Sequence, residues 1–362
     1  MSVKSGQHVQ FRNHAFIVGS LKVGTTLLLS LLEGHRDALA FPFELKYHKL
    51  FHTAAGGALG KARDLNAFFL TESKFTHFRK DLHDDPYNTG MLDFSGVDYG
   101  RLTGYLDALP KEDYQRSEYF EELARSYMYA TGDSREMISC LIEKPGNHAL
   151  DYIDTIYQDF PGAKIIHLVR DPRTTLSSAK NAVMKYNGVW GQYEPNEILE
   201  KILQGFEVAR KYGGTESYKV IRYEDLVARP REVVEDLLKW LGLPWDENCL
   251  RPTFLGRTWQ GNSSSDTKFQ APSVDRVESP TGELTAGEDK WVEIRLARYL
   301  REYSYSQRHA DMPVLERAWM IVWFGCLRPL FRKVGWTASK LVRLDRYPAY
   351  IKKWKQKRAR RR

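Results

Sequence analysis

The strongest constraint on the fold is the stretch from Phe16 to Thr26, Phe-Ile-Val-Gly-Ser-Leu-Lys-Val-Gly-Thr-Thr. It begins with a short apolar run that ends at Gly19, as expected for a buried strand. The leucines at 27, 28, 31 and 32 repeat at helical spacing, which predicts a helix that begins near Gly24. Backbone N–H groups at a helix N-terminus, together with its partial positive charge, bind phosphate groups. The sequence therefore predicts a strand, a phosphate-binding loop and a helix.

The same stretch departs from the loop of nucleotide triphosphatases. Gly19 and Gly24 have the spacing of G-x-x-x-x-G-K-[ST], but Thr25 occupies the lysine position. Lys22 lies inside the loop instead, where its ammonium group can neutralise a phosphate oxygen. A kinase or phosphotransferase with an altered loop is one alternative, and it predicts magnesium-dependent ATP binding. A glycine-rich turn with a solvated lysine is the other alternative.

A second phosphate-binding segment follows the apolar run 164–169. Arg170 comes directly after this predicted strand, and Asp171 and Pro172 are residues that begin helices. The carboxyl ends of strands in open α/β sheets are where ligands bind. Ser178 follows eight residues later, about two turns into the predicted helix, so a guanidinium and a hydroxyl can both donate to a phosphate. The alternative for Arg170 is an ion pair with Asp171 or another acid.

Together these segments resemble the 5′-phosphosulfate loop and the 3′-phosphate signature R-[DN]-P-x-x-x-x-x-S of sulfotransferases that use 3′-phosphoadenosine-5′-phosphosulfate (PAPS). The motifs are closest to those of glycosaminoglycan or carbohydrate-type and bacterial members, and the resemblance covers roughly residues 14–50 and 137–245. Val23 departs from the Ser or Gly that is common in the family, which puts one hydrogen bond to the phosphosulfate in doubt. The residues that the resemblance implies for PAPS binding are Lys22, Gly24, Thr25, Thr26, Arg170 and Ser178.

Three residues are implied in catalysis by the same resemblance. Glu44, 22 residues after Lys22, resembles the family's glutamate base, and Lys144 lies in a Glu-Lys-Pro element that resembles E-K-[ST]-P. Glu44 would remove the acceptor proton, Lys22 would neutralise the leaving phosphate, and Lys144 would steady the sulfuryl oxygens or orient Glu44. Alternatively, Glu44 is an ion-pair partner of a neighbouring basic side chain, and His48 or His52 is the base. The resemblance treats the segment 218–226, which contains Arg-Tyr-Glu-Asp-Leu, as structural.

Strand-like segments alternate with helical ones, which predicts an α/β fold with a mostly parallel central sheet flanked by helices. The resemblance implies the P-loop NTPase-like sulfotransferase fold over residues 1–311, with a helical insertion at 52–136 that binds the acceptor. Residues 251–289 are predicted to form a long loop. There the resemblance suggests Arg257 as a group that closes over the 3′-phosphate, and a solvated loop arginine is the alternative. A C-terminal helical extension at 312–350 and a basic tail at 351–362 complete the organisation.

The net charge of +8 belongs to the C-terminal tail. Residues 351–362 contain eight Lys and Arg and no acid, which leaves 46 basic and 46 acidic residues elsewhere, so no nucleic-acid partner is predicted. The apolar and aromatic run 318–327 precedes clustered basic residues and is too short to cross a bilayer. This pattern predicts attachment to an anionic membrane surface. A core or dimer helix is the alternative.

Three scattered cysteines favour neither a disulfide framework nor a metal site, and no metal is expected. The polar N-terminus carries no signal sequence, so we expect a cytoplasmic protein, peripheral on the inner face of the membrane. The predicted function is transfer of the sulfuryl group from PAPS to a hydroxyl of a carbohydrate, lipid-linked or small-molecule acceptor, which releases 3′-phosphoadenosine 5′-phosphate (PAP). A non-catalytic membrane-associated protein that retains the fold is the remaining alternative.

Overall fold

The computed structural model describes residues 9–42, 44–57, 59–72, 94–187, 195–259, 261, 271–274 and 284–327. The strands are β1 (Gln10–Phe11), β2 (His14–Gly19), β3 (Ala38–Ala40), β4 (Leu59–Lys61), β5 (Asp113–Gln115), β6 (Met137–Ile138), β7 (Cys140–Glu143), β8 (Lys164–Val169), β9 (Tyr218–Arg222), β10 (Thr253–Phe254) and β11 (Arg257–Thr258). The helices are α1 (Thr25–Leu32), α2 (Tyr47–Ala55), α3 (Ala62–Glu72), α4 (Tyr99–Asp107), α5 (Arg116–Thr131), α6 (Ile153–Asp159), α7 (Pro172–Asn187), α8 (Pro195–Tyr212), α9 (Tyr223–Ala228), α10 (Pro230–Leu241), α11 (Ala286–Glu302) and α12 (Val314–Met320). Short 3₁₀ turns lie at Asn147–Asp151 and Glu247–Leu250, and a π-helical stretch, Ile321–Leu327, continues α12.

The central sheet has five parallel strands in the order β3-β7-β2-β8-β9. Its middle strand, β2, pairs with β7 on one side and with β8 on the other, where Phe16 is opposite Ile165. Strands buried on both faces are mainly apolar, as β2 and β8 are, and the polar His167 of β8 is fully buried among them. The predicted mostly parallel sheet is therefore confirmed.

Successive side chains of β2 face opposite sides of the sheet, as the strand period of two requires. Phe16 and Val18 belong to a core cluster that also contains residues of α2, α5 and α6. Ala15 and Ile17 belong to a second cluster, formed mainly with α1 and α10. Helices therefore cover both faces of the sheet, and the loop after β2 lies between these two layers.

A third core cluster joins α7 and α8 to the C-terminal helices. Trp291 of α11 stacks on Phe324 with their ring centroids 5.5 Å apart, and Met320 is buried in the same cluster. One side of the segment 314–327 is thus anchored to the body of the protein.

The insertion at 52–136 contains helices, as predicted, and a small antiparallel pair of strands, β4 and β5. Residues 73–93 lie outside the described part of the chain. Three of its aromatic side chains, Phe69, Tyr119 and Phe120, are completely buried in the core. They stabilise the insertion against the sheet, and its role in acceptor binding stays a prediction.

The region predicted as a long loop, 251–289, contains more structure than expected. Thr253–Phe254 and Arg257–Thr258 form an antiparallel hairpin, and α11 begins at Ala286 behind a Thr285 capping box. Residues 262–270 and 275–283 and the basic tail lie outside the described residues. Within the described ranges, no helix is both long enough and apolar enough to cross a bilayer.

Candidate active site

The predicted site residues converge because four parallel strands end at one edge of the sheet. Gly19 ends β2, Glu143 ends β7, Val169 ends β8 and Arg222 ends β9. The phosphate loop, Lys144, Arg170 and Tyr223 follow these strand ends directly. The edge therefore has the position at which open α/β sheets bind their ligands.

The phosphate loop is closed by tight contacts at its two glycines. A Cβ atom at Gly19 would lie 2.7 Å from Cγ2 of Val23 and 2.8 Å from the carbonyl oxygen of Leu168. Gly24 has a φ of 97°, in the left-handed region, and a Cβ atom there would lie 2.4 Å from Cδ2 of Tyr223. Val23 itself is buried, so it fills the inside of the loop. The two glycines leave the backbone free to approach an anion closely.

Helix α1 begins directly after Gly24, which has no side-chain cap. Thr25 and Thr26 form its first turn, where backbone N–H groups have no partner within the helix. Lys22 has a φ of 59°, a left-handed conformation that is costly for a non-glycine residue and is typical of functional loops. Burial lowers the pKa of the Lys22 ammonium, the Glu44 carboxylate opposes this effect, and the Lys144 charge adds to it. Lys22 therefore lies beside both other predicted catalytic residues.

Lys144 connects the predicted base to the first turn of α1. Its Nζ donates to Thr26 Oγ1 at 2.8 Å and to Glu44 Oε1 at 3.0 Å. The Lys144 side chain is only 6% exposed, whereas that of Glu44 is 35% exposed. Glu44 thus forms an ion pair with Lys144, which lies 100 residues away in sequence. Glu44 has the solvent access that an acceptor needs.

Gly146 and Glu143 lie beside the pair of Glu44 and Lys144, and the sequence alone does not assign either of them a role. Gly146 has a φ of 81°, and a Cβ atom there would lie 2.9 Å from Oε2 of Glu44. Glu143 is fully buried at the end of β7. Burial raises the pKa of Glu143 to about 8, the backbone N–H of Tyr47 opposes the shift, and the Glu44 charge adds to it. The site thus contains one exposed carboxylate and one buried carboxyl group that is mainly protonated at pH 7.

Arg170 lies against the phosphate loop. Its Nη1 donates to the carbonyl oxygen of Lys22 at 3.1 Å, and its guanidinium carbon lies 4.2 Å from the centroid of the Tyr223 ring. Tyr223 thus contacts both Gly24 of the first phosphate segment and Arg170 of the second. The family resemblance gives the segment 218–226 as structural. Its Tyr223 ring lies between the two predicted phosphate sites.

Asp171, one of the acids considered as a partner for Arg170, pairs with another arginine. Asp171 pairs with Arg173 at 2.6 Å, and Arg173 also pairs with Glu293 of α11 at 3.0 Å. Glu293 further accepts hydrogen bonds from the backbone N–H groups of Arg308 and His309. This network fixes the chain that follows Arg170 to the C-terminal helices.

His309 and Glu293 also meet Asp289, which sequence spacing did not reveal. One ligand atom from each of the three residues lies within 4.8 Å of the others. His309 Nε2 is 2.9 Å from Asp289 Oδ2, and both Glu293 oxygens accept hydrogen bonds from the protein. Through these contacts, Asp289, Glu293 and His309 form an internal polar network.

The remaining residues predicted to bind PAPS, Ser178 and Arg257, lie in different parts of the structure. Ser178 is half-buried on α7, within the segment that begins after Arg170. Arg257 is exposed on β11, and its hairpin is tied to Glu33 by the Gly256 N–H at 3.0 Å. Glu33 follows the last residue of α1, about 13 Å along the helix from Gly24. The structure therefore brings together the loop, Glu44, Lys144 and Arg170, but not Arg257.

The histidines considered as bases lie elsewhere on α2. His48 is buried and faces Asp159 at 3.3 Å, and Arg116 holds the same carboxylate. Burial lowers the pKa of His48, and its hydrogen bond to Asp159 opposes the shift. His52 is exposed on the next turn. Neither histidine has the contact with Lys144 that Glu44 has.

Comparison with known proteins gives matches at two levels. A family model described as "Sulfotransferase family" matches residues 15–247. The mouse (Mus musculus) protein named carbohydrate sulfotransferase 5 is 31% identical over a match that covers 22% of this chain and only 25% of the mouse protein. The solved sulfotransferase domain from the curacin biosynthetic pathway aligns with a TM-score of 0.51 and 18% identity, covering 81% of this chain and 98% of that domain.

Proposed function

Because the chain belongs to the sulfotransferase family, whose co-substrate is PAPS, we propose that it transfers the sulfuryl group of PAPS to a hydroxyl with Glu44 as the base. The observation that carries the proposal is the position of Lys144, which hydrogen bonds to both Glu44 and Thr26. A base for the acceptor is thereby held beside the start of the helix that would hold the phosphosulfate.

The residues at the sheet edge suit a group with two phosphates. Loop backbone at Gly24, Thr25 and Thr26 would hold the 5′-phosphosulfate, since a side chain at Gly24 would clash with Tyr223. Arg170 and Ser178 would hold the 3′-phosphate on the other side of Tyr223. Lys22, inside the loop, and Lys144, which donates to Thr26, would supply positive charge at the 5′-phosphosulfate.

The proposed reaction has one bond-forming and one bond-breaking event at sulfur. The acceptor oxygen attacks the sulfur atom while Glu44 takes the hydroxyl proton, and the bond from sulfur to the phosphate oxygen breaks. Negative charge grows on that phosphate oxygen, where Lys22 and the N-terminus of α1 stabilise it. Lys144 orients Glu44 and faces the sulfuryl oxygens. A positioned base contributes roughly 10²–10⁴-fold in rate.

The exposure of the two candidate bases supports Glu44 over His48. A base must come within hydrogen-bonding distance of the acceptor, and Glu44 is partly exposed while His48 is enclosed by core aromatic side chains. The similarity to a protein named as a carbohydrate sulfotransferase favours a carbohydrate hydroxyl as the acceptor over a lipid-linked or other small molecule.

Ligand-dependent thermal unfolding tests the donor site. We expect PAP at about 100 times its dissociation constant to add ~2.7 kcal/mol to the free energy of unfolding. AMP, and ATP with magnesium, should give less, and Arg170→Ala should lose the PAP effect. Stabilisation by ATP with magnesium but not by PAP would refute the donor assignment and favour a phosphotransferase.

Transfer of radiolabelled sulfate from PAPS to a panel of sugar and phenol acceptors tests the base. Glu44→Gln should retain stabilisation by PAP while transfer falls at least about 10²-fold. His48→Gln is the comparison for the alternative base. A Glu44→Gln enzyme that retains wild-type turnover would exclude Glu44 as the base.

We also propose that residues 314–323 attach the protein to an anionic membrane surface. Val314, Leu315 and Trp319 are 81%, 85% and 58% exposed, and Trp319 stacks on Trp323. Met320 and Phe324 point the other way, into the core, so the outer face is held in place. Exposed apolar and tryptophan side chains that precede a basic tail in the sequence suit a lipid interface, where each basic residue contributes roughly 1 kcal/mol on anionic lipid.

Liposome flotation tests the membrane proposal. The full chain should float with phosphatidylserine vesicles and less with neutral ones, whereas Trp319→Ser/Trp323→Ser and a chain that ends at Asp311 should remain at the bottom. Equal flotation of all three proteins, or none by any, would refute it.

A further inference from the structure

We propose that the acceptor carries a carboxylate or sulfate group close to the hydroxyl that is sulfated, bound by a basic cluster beside Glu44. The cluster consists of Lys46, Lys49, His148 and Lys201, which come from three separate elements of the fold. This inference rests on the proposed function, because it concerns the acceptor side of the same site.

Two of these elements meet at the predicted base. Lys46 follows Glu44 by two residues and precedes the first residue of α2, in a left-handed conformation with a φ of 56°. His148 follows Gly146 by two residues, and Gly146 is the residue whose Cα approaches the Glu44 carboxylate. Lys46 and His148 therefore lie beside Glu44 on two different segments of the chain.

Lys201 approaches the same region from α8. Gly205, one helical turn later, packs against Ser20 of the phosphate loop, where a Cβ atom would lie 3.2 Å from the Ser20 Cβ. Gln204 donates to Asp151 of the 3₁₀ turn that contains His148. Positions three and four residues apart share a helix face, so Lys201 lies on the side of α8 that faces this turn and the loop.

The positive charge of the cluster is not neutralised within the described chain. Lys49 and Lys201 are exposed, Lys46 and His148 are half-buried, and no ion pair joins any of the three lysines to an acid among the described residues. Burial lowers the pKa of His148, and the charges of Lys49, Lys46 and Lys201 lower it further, while Asp151 opposes them. The charges of all three lysines therefore reach His148.

This arrangement is electrostatically complementary to an anionic acceptor. Clustered charge around a site raises the local concentration of ligands of opposite sign. Lys22 and Lys144 serve the donor in the proposed reaction, so the outer cluster is available to the acceptor. Because Lys46 and His148 lie beside Glu44 along the chain, the anionic group of the acceptor would lie close to the reacting hydroxyl.

Two compounds that differ in charge test whether the basic cluster binds an anionic acceptor. We would measure binding of p-nitrophenyl β-D-glucuronide and of its methyl ester to the full-length, PAP-saturated enzyme by saturation-transfer NMR. The two compounds share every hydroxyl and differ in one negative charge. The acid should bind about tenfold more tightly, and Lys49→Gln/Lys201→Gln should abolish this preference. Lys239→Gln, an exposed lysine of α10 on the other face of the sheet, is the control and should retain it.

The outcomes separate this inference from the proposed function. Equal binding of acid and ester, binding of neither, or a preference that survives in the double variant would overturn the basic acceptor site. Stabilisation by PAP in the same samples reports on the donor site independently. If PAP stabilises the enzyme while the acid shows no preference, only the acceptor inference fails, and if PAP does not bind, the proposed function fails.

Discussion

Replacing Tyr223 by leucine should weaken PAP binding without a direct change to any predicted phosphate ligand. The Tyr223 ring lies 4.2 Å from the Arg170 guanidinium carbon and fills the space at Gly24. It therefore holds the two predicted phosphate segments at a fixed separation. Leucine removes the aromatic face and leaves Arg170 with fewer restraints. Tyr223→Phe keeps the ring and removes only the hydroxyl, so it is the matched control.

The size of the effect follows from the burial of the pair. Cation–π contacts contribute about 0.5–1 kcal/mol at exposed sites and about 2 kcal/mol when desolvated. Arg170 and Tyr223 are both buried, so we expect a loss near the upper value. At 1.4 kcal/mol for each factor of ten, the dissociation constant for PAP should rise about 10- to 30-fold. Tyr223→Phe should change it less than threefold.

Isothermal titration calorimetry with PAP measures these constants, and circular dichroism checks that each variant is folded. The reasoning is wrong if folded Tyr223→Leu binds PAP as tightly as the wild type. It is also wrong if Tyr223→Phe binds as weakly as Tyr223→Leu, because the hydroxyl rather than the ring would then be responsible.

Two further predictions concern the predicted base and its surroundings. Gly146→Ala should lower sulfuryl transfer at least about 10²-fold, because the added methyl group would displace Glu44. Gly132 also has a positive φ but has open space around it, so Gly132→Ala should keep wild-type turnover. Equal rates in the two variants would refute the contact between Gly146 and Glu44. Glu143 keeps its proton up to about pH 8 in the folded protein but loses it near pH 4.5 in the unfolded chain. As the pH rises from 4.5 to 8, the free energy of unfolding should therefore fall by up to about 1.4 kcal/mol per pH unit. In Glu143→Gln, denaturant titrations between pH 5 and pH 8 should lack this decline, and an unchanged slope would contradict the assignment.

Local patterns were sufficient to predict the parallel sheet and much of the donor side of the site. The apolar runs of β2 and β8 each precede a residue pattern that begins a helix, so the position of Lys22 and Arg170 at a sheet edge follows from sequence alone. Their proximity depends on the strand order, which places β2 beside β8 and which no local pattern predicts.

The contacts that sequence reasoning missed join residues far apart in the chain. Tyr223 meets Gly24 across about two hundred residues, and Gly146 meets Glu44 across about one hundred, so no local spacing reveals either contact. The hairpin at 253–258 was missed for a local reason. Its turn places Leu255 and Gly256 at φ values of 51° and 71°, which normally requires Asn-Gly or Asp-Gly. Leucine at such a position gives no turn signal.

The Lys144 ammonium group couples the two proposed substrate sites, because it donates both to Thr26, in the helix proposed to hold PAPS, and to Glu44, the proposed base for the acceptor. Any shift of Lys144 when PAPS binds must alter the affinity for the acceptor. Linkage then requires the acceptor to alter the affinity for PAPS by the same factor. The two substrates should therefore bind interdependently, and a Lys144→Met enzyme, measured by calorimetry with each ligand in the presence of the other, should bind them independently.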